Sequence, residues 1–392
     1  MNRADVQQPV SAGIIAALVG YTSSFAVVLT GLTAVGATPQ QAASGLLALC
    51  LTQAVGMIWL SRRYRMPLVL VWSTPGVALL AGTQPVDGGW SAAVGAFVIV
   101  GVAYLVTGLW PALGLLIACI PAPIAQAMLA GVVLELCYAP VTSLVRSPGA
   151  IIPIVLVWLV GVRLAPRWAV PAAFVTAGVV IGVEMVHTGT GVAASALAPH
   201  LSLTSPTWTW AAVVGIALPL YIVTVASQNV PGVAIMKSFG YDVPWRASMA
   251  TAGVATIVGA SAGAHSVNLA AISAALAAGP DAGADRSRRW IASQSAASTY
   301  VLLAAASSAL AALVTVAPAG VIATVAGLAL LGTLANALEG AVAHRGGREA
   351  AVITFLVAAS GITAFGVGSA FWAIIAGLLV HFVLDWRTDR VG

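Results

Sequence analysis

The chain has 392 residues, 60% hydrophobic and only 7% charged, with a mean hydropathy of +1.02. A soluble domain carries about 25% charged residues, so this composition excludes one and leaves a polytopic membrane protein. The net charge of +5 needs no nucleic-acid partner, because the basic residues sort by side of the membrane.

Apolar runs bounded by Pro, Gly or charge fall at 11–36, 39–61, 67–82, 90–109, 120–144, 149–164 and 169–187. A second seven follow at 209–236, 245–262, 264–279, 290–315, 318–338, 348–365 and 368–386. The polar arm Met1 to Gln8 precedes a run too long for a signal-peptide core, so the first segment is read as retained. With both termini cytoplasmic, every Lys and Arg except Arg146 lies inside: Arg3, Arg62, Arg63, Arg65, Arg163, Arg167, Lys237, Arg246, Arg286, Arg288, Arg289, Arg345, Arg348, Arg387 and Arg390. This bias predicts an all-α polytopic protein of 14 transmembrane segments in the inner membrane of a bacterium. Trp59, Trp90, Trp110, Trp245, Trp290 and Trp386, near segment ends, suit interfacial belts. Cys50, Cys119 and Cys137 sit in apolar runs without ligand spacing and read as small core residues, so neither a disulfide framework nor a metal site is expected.

The link around 191–207, free of Lys and Arg, divides the chain into residues 1–190 and 208–392. Basic residues follow the second segment of the first half but the first and third of the second half. That phase flip is expected of two inverted 7-span repeats joined by an extracytoplasmic connector.

Two short segments are broken at their start, at Val71-Trp72-Ser73-Thr74-Pro75-Gly76 before Val77, and at Gly263-Ala264-His265-Ser266-Val267-Asn268 before Leu269. Interrupted segments in matching places of two halves point to a transporter's binding site; the alternative is a pair of kinks in ordinary helices. Thr74 reads as a helix N-cap with Pro75 in the first turn, and His265, Ser266 and Asn268 as the polar start of a helix beginning near Val267. Two such N-termini meeting at the midplane, each with about half a positive charge, favour an anion. Tyr21, Ser23 and Ser24 on the first span, and Gln228 and Asn229 on the eighth, stand at corresponding places and are candidates for the same wall.

Ionisable residues within spans are functional-site candidates by default. A protonated His265 and an arriving carboxylate would stabilise each other, making proton and anion binding mutually reinforcing; the plain alternative is a neutral capping histidine. Glu135 is a candidate proton relay, or else a group paired within the bundle.

At these residues the sequence resembles the benzoate:proton symporter family, BenE, over its whole length. The matching stretches are Leu18 to Ser24, Val71 to Gly76, Asn229 to Ala234 and Ala264 to Ile272. The resemblance implies an aromatic carboxylate as substrate. BenE proteins are in turn distantly similar to uracil-permease-type nucleobase transporters, which implies strand-plus-helix third and tenth spans, a core of spans 1–4 and 8–11, and a gate of spans 5–7 and 12–14. Those permeases bind the base through carboxylates on the eighth and tenth spans, where this chain has Gln228 and His265, a departure that disfavours a nucleobase.

The expectation is a secondary active transporter that imports benzoate or a related aromatic carboxylate with a proton by alternating access. The carboxylate would dock between Gly76-Val77 and Ser266-Asn268. His265 and Glu135 are the proton-coupling candidates. No catalytic residue and no cofactor are expected, the surround is membrane lipid, and homodimerisation is left open. The rivals are an anion channel or uncoupled pore and a proton-coupled nucleobase permease.

Overall fold

The computed structural model describes residues 4–83, 85–110, 121–343, 347–364 and 367–388. Arg3, Cys119, Arg345 and Arg390 lie outside these residues, as do the side chains of Trp386 and Arg387.

The first half runs α1 (Ala4–Ala34), α2 (Pro39–Tyr64), β1 (Leu70–Trp72), α3 (Thr74–Ala81), α4 (Gly89–Leu109), α5 (Ala122–Arg146), α6 (Pro148–Leu164) and α7 (Ala169–Thr188). After the connector come α8 (Trp210–Ser238), α9 (Trp245–Ala260), β2 (Val267–Leu269), α10 (Ile272–Ala278), α11 (Trp290–Ala304), α12 (Ser307–Thr315), α13 (Val321–Val342) and α14 (Arg348–Ala359). A hairpin of β3 (Thr363–Ala364) and β4 (Val367–Gly368) leads into α15 (Ser369–Thr388). By length and composition, seven of these helices among the described residues suffice to cross a membrane, or eight if α11 and α12, bent by 48°, form one span. The predicted run 290–315 is thus broken. The run 348–365 ends as helix at Ala359, where Gly361 takes a positive φ of 62° and the hairpin begins.

Valines and leucines of α6 and α7, such as Leu156 and Val175, stay exposed, as expected where hydrocarbon is the solvent. Inside, α1 packs on α11 and α3, α4 on α9, and α2 on α11; a second group forms where α5 packs on α13 and α14. Cys50 and Cys137 are buried free thiols. Trp59 and Trp110 are exposed as a belt requires, whereas Trp90 is buried and its indole N–H donates to Thr204 Oγ1 at 3.0 Å. That bond is one of several that tie the connector down: Ser202 N–H donates to Ser44 Oγ, Thr204 N–H to Ser261 O and Thr207 N–H to Ser91 O.

The two breaks meet. β1 and β2 pair antiparallel in the register Leu70 with Leu269, Val71 with Asn268 and Trp72 with Val267. Backbone groups of a broken span have no water to bond, and here each strand satisfies the other. Gly263, with φ of 99°, turns the chain into β2, and a Cβ there would lie 3.0 Å from Gly45 Cα.

Candidate functional site

A cavity of about 340 Å³ lies beside this pairing. Its walls bring together Ser23 and Ser24 of α1, Trp72 of β1, Thr74 and Pro75 of α3, Ser227 and Gln228 of α8, Ala271 and Ser273 at the second break, and Tyr300 of α11. Gln126 of α5 and Thr333 and Asn336 of α13 close it from the other helix group. Five predicted residues therefore share one wall: Ser23, Ser24, Thr74, Pro75 and Gln228.

The local geometry changes what the breaks offer. Ser73, not Thr74, caps α3: its Oγ accepts from Gly76 N–H at 2.9 Å and bonds Thr224 Oγ1 at 2.7 Å, leaving Thr74 as the first helical residue. Val77 N–H donates to Ser73 O. The two N–H groups expected to receive the carboxylate, those of Gly76 and Val77, are thus already used.

The second break is also not the helix start expected near Val267. β2 occupies Val267–Leu269 and α10 begins at Ile272, because pairing with β1 holds the chain extended. His265, Ser266 and Asn268 are fully buried and do not line the cavity. Ser266 Oγ bonds Tyr104 OH at 2.8 Å, Ser266 O accepts from Ser73 N–H at 3.2 Å, and the Asn268 amide donates to Leu269 O. The His265 ring lies edge-on to Phe97 with centroids 6.3 Å apart, and neither ring nitrogen has a partner among the described residues.

Tyr21 is likewise packed away, stacked on Phe25 at 5.8 Å and edge-on to Trp72 at 5.7 Å. Glu135 lies on an exposed face of α5, away from the cavity.

Gln228 and Asn229 separate in role although adjacent. They lie in a widened turn, Val225–Asn229, that ends two residues before Pro231; an equivalent turn, Val213–Ala217, precedes Pro219. The wider turn relieves the clash of the proline ring with the preceding carbonyls. It turns Gln228 to the cavity, whereas buried Asn229 uses its Oδ1 to accept from Leu269 N–H at 2.9 Å. Asn229→Ala is expected to orphan that N–H and cost roughly 1–3 kcal/mol, read as a lower thermal midpoint of the purified protein. An unchanged midpoint would remove Asn229 as the tie between α8 and β2.

The amides of Gln126, Gln228 and Asn336 and the hydroxyls of Thr74, Ser273 and Thr333 make no hydrogen bond to protein among the described residues. No Asp, Glu, Lys, Arg or His lines the cavity among them. The apolar part of the wall is aromatic, with Trp72 and Tyr300 edge-to-face at 5.8 Å, a geometry that favours a further ring. Trp72 is aimed by its own N–H, which donates to Ser24 Oγ at 2.9 Å. Gln126 and Asn336 were missed in the sequence although they satisfy the criterion that singled out Gln228, an amide side chain inside an apolar run. Arg289 is a further buried residue the sequence did not flag; it donates to Ala278 O at 2.5 Å and Gly283 O at 2.8 Å, closing the C-terminal end of α10.

The cavity thus sets neutral polar groups beside aromatic edges. The family model for the benzoate membrane transport protein, BenE, matches residues 4–383. The chain belongs to the BenE family. It is 36% identical over 380 residues to the inner membrane protein YdcO of Escherichia coli (strain K12), spanning 97% of this chain and 96% of that one. It is 30% identical over 373 residues to the benzoate membrane transport protein of Acinetobacter baylyi (strain ATCC 33305 / BD413 / ADP1), spanning 95% and 94%. Among solved structures, the transmembrane domain of a cyanobacterium bicarbonate transporter, BicA, superposes with a TM-score of 0.57 at 13% identity, covering 97% of this chain and 98% of that one. That likeness shows a shared fold. As a BenE member the chain is an integral membrane transport protein and not an enzyme.

Proposed function

We propose that this BenE protein imports benzoate or a closely related aromatic carboxylate with a proton across a bacterial inner membrane, by alternating access. The observation that carries the reading is the uncharged cavity at the crossing of the two broken spans. In it the ring lies against Trp72 and Tyr300, and the carboxylate is held by neutral donors from Thr74, Gln228 and Ser273. A carboxylate with no fixed counter-charge is costly to hold in a dry site, which favours its moving with a proton. One proton also cancels the electrical cost of carrying an anion into a negative interior, about 2.3 kcal/mol per 100 mV.

In this reading the proton binds at His265, next in the chain to Ser266, whose carbonyl joins the two breaks at Ser73. Glu135, on its exposed face, takes no part.

The fourteen-span arrangement belongs to the same proposal. Its support is that contacts recur in swapped pairs: α4 packs on α9 as α11 packs on α2, and α1 packs on α10 as α8 packs on α3. Inverted repeats produce such reciprocity. Spans 1–4 and 8–11 would form the core, and spans 5–7 and 12–14 the gate that supplies Gln126, Thr333 and Asn336. With both termini inside, Asn336 and Ala337 of the cavity wall sit in the inner half of α13.

Labelled benzoate should accumulate above equilibrium in proteoliposomes under an imposed inward proton gradient, by about tenfold per pH unit for one proton. Equilibration without accumulation would assign an uncoupled pore, and preferential uptake of uracil over benzoate would assign a nucleobase permease.

A further inference from the structure

We propose that the face shared by α2 and α9 binds an anionic phospholipid, with an acyl chain in the groove between the helices and the phosphate on Arg62 and Arg63. The groove, about 530 Å³, has a floor of small side chains, Gly56, Thr251 and Ala255, between walls that include Val55, Trp59 and Val258. Val55 and Val258 are 67% and 68% exposed, so the wall tops face the bilayer. A second hollow, of about 500 Å³, continues from the same Val55 and Trp59 to Ile58, Arg62 and Arg63. The surface thus passes from mainly apolar to dibasic along one helix.

The length fits as well. From Leu51 to Arg62 the helix rises roughly 16 Å, close to the depth of one leaflet's hydrocarbon, about 15 Å.

The basic end is oriented rather than merely present. Arg62 Nε–H donates to Gln294 Oε1 at 3.0 Å, and the Gln294 amide in turn donates to Ile58 O at 3.1 Å and to Ser61 Oγ. Arg62 is exposed, and among the described residues its terminal nitrogens make no hydrogen bond to protein. Arg63 lies beside it, stacked over the Tyr64 ring at 5.4 Å. No carboxylate among the described residues pairs with either arginine, so their complement is external. At the headgroup level of a bilayer the available anion is a lipid phosphate without a neutralising amine, which matches the preference of juxtamembrane arginines for anionic lipid.

The test is native mass spectrometry of the full chain, purified in detergent and offered equal phosphatidylglycerol and phosphatidylethanolamine. The wild type should retain phosphatidylglycerol preferentially, and R62Q/R63Q should lower that retention about tenfold. R63Q alone, which spares the Gln294 clamp, should lower it in the same direction. V258W, which fills the groove from an exposed position, should reduce retention of both lipids. Equal retention of the two lipids by the wild type, or an unchanged preference in R62Q/R63Q, overturns the proposal. So does a dimer that V258W abolishes, since the groove would then be covered by a second copy of the chain.

Discussion

Gly76→Val is expected to lower benzoate uptake into proteoliposomes by up to about 100-fold, the scale that an ångström's misplacement of a positioned group can reach. Gly76 is buried in the first turn of α3, where a Cβ would lie 2.6 Å from Ser73 Oγ, 2.9 Å from Ser73 Cβ, and against Leu220 Cδ1. Leu220 presents only the end of a flexible side chain, but Ser73 is held in place. Ser73 Oγ holds both Gly76 N–H and Thr224 Oγ1, so pushing it away uncaps α3 and loosens its tie to α8 together. Thr74 and Pro75, which line the cavity, move with them. Overpacking of this kind costs roughly 1–3 kcal/mol in stability, so uptake is normalised to folded protein recovered by size exclusion. Gly182→Val, at a position with nothing within 4 Å, is the control and should transport as the wild type does. Wild-type uptake by Gly76→Val would mean that the start of α3 takes no part in transport.

His265→Gln is expected to abolish accumulation driven by a proton gradient, a loss of about tenfold per pH unit, while benzoate counterflow persists. His265 is fully buried with both ring nitrogens unpartnered among the described residues. Glutamine keeps the bulk and a polar end at that position but cannot carry a proton near neutral pH. Exchange needs only the loaded carrier to change conformation, whereas accumulation needs the proton to be bound on one side and released on the other. Equal loss of both activities would make His265 structural, and intact coupling would leave the substrate's own carboxyl as the proton carrier.

How much of this was legible beforehand varied with the range of the interactions involved. Pro75 in the first turn of α3 was readable because a proline's fixed φ and missing N–H are local properties. The cap was not: Ser73 and Thr74 are chemically similar, and the choice fell to Ser73, whose hydroxyl also meets Thr224 of α8. The run from Val267 reads as a helix because it is apolar and alanine-rich. It is a strand over Val267–Leu269 because its backbone pairs with Leu70–Trp72, and the residue pattern alone does not encode that partner. Gln126 and Asn336 carry a sequence signal, since an amide in an apolar span is costly wherever it occurs, but their convergence with Gln228 on one cavity comes from packing between distant helices.

Composition and the two interrupted segments sufficed to mark a polytopic membrane protein with the signs of a transporter, because hydropathy and proline or glycine chemistry act within a few residues; the BenE kinship rested on the resemblance of the stretches from Leu18 to Ser24, Val71 to Gly76, Asn229 to Ala234 and Ala264 to Ile272. Which groups remain to meet a substrate was decided only by tertiary structure. A backbone N–H in a membrane interior must be satisfied, and those of Gly76, Val77 and Leu269 are taken by Ser73 and Asn229. In place of two bare helix ends the structure presents a cavity lined by side-chain amides and hydroxyls, with buried His265 outside its lining.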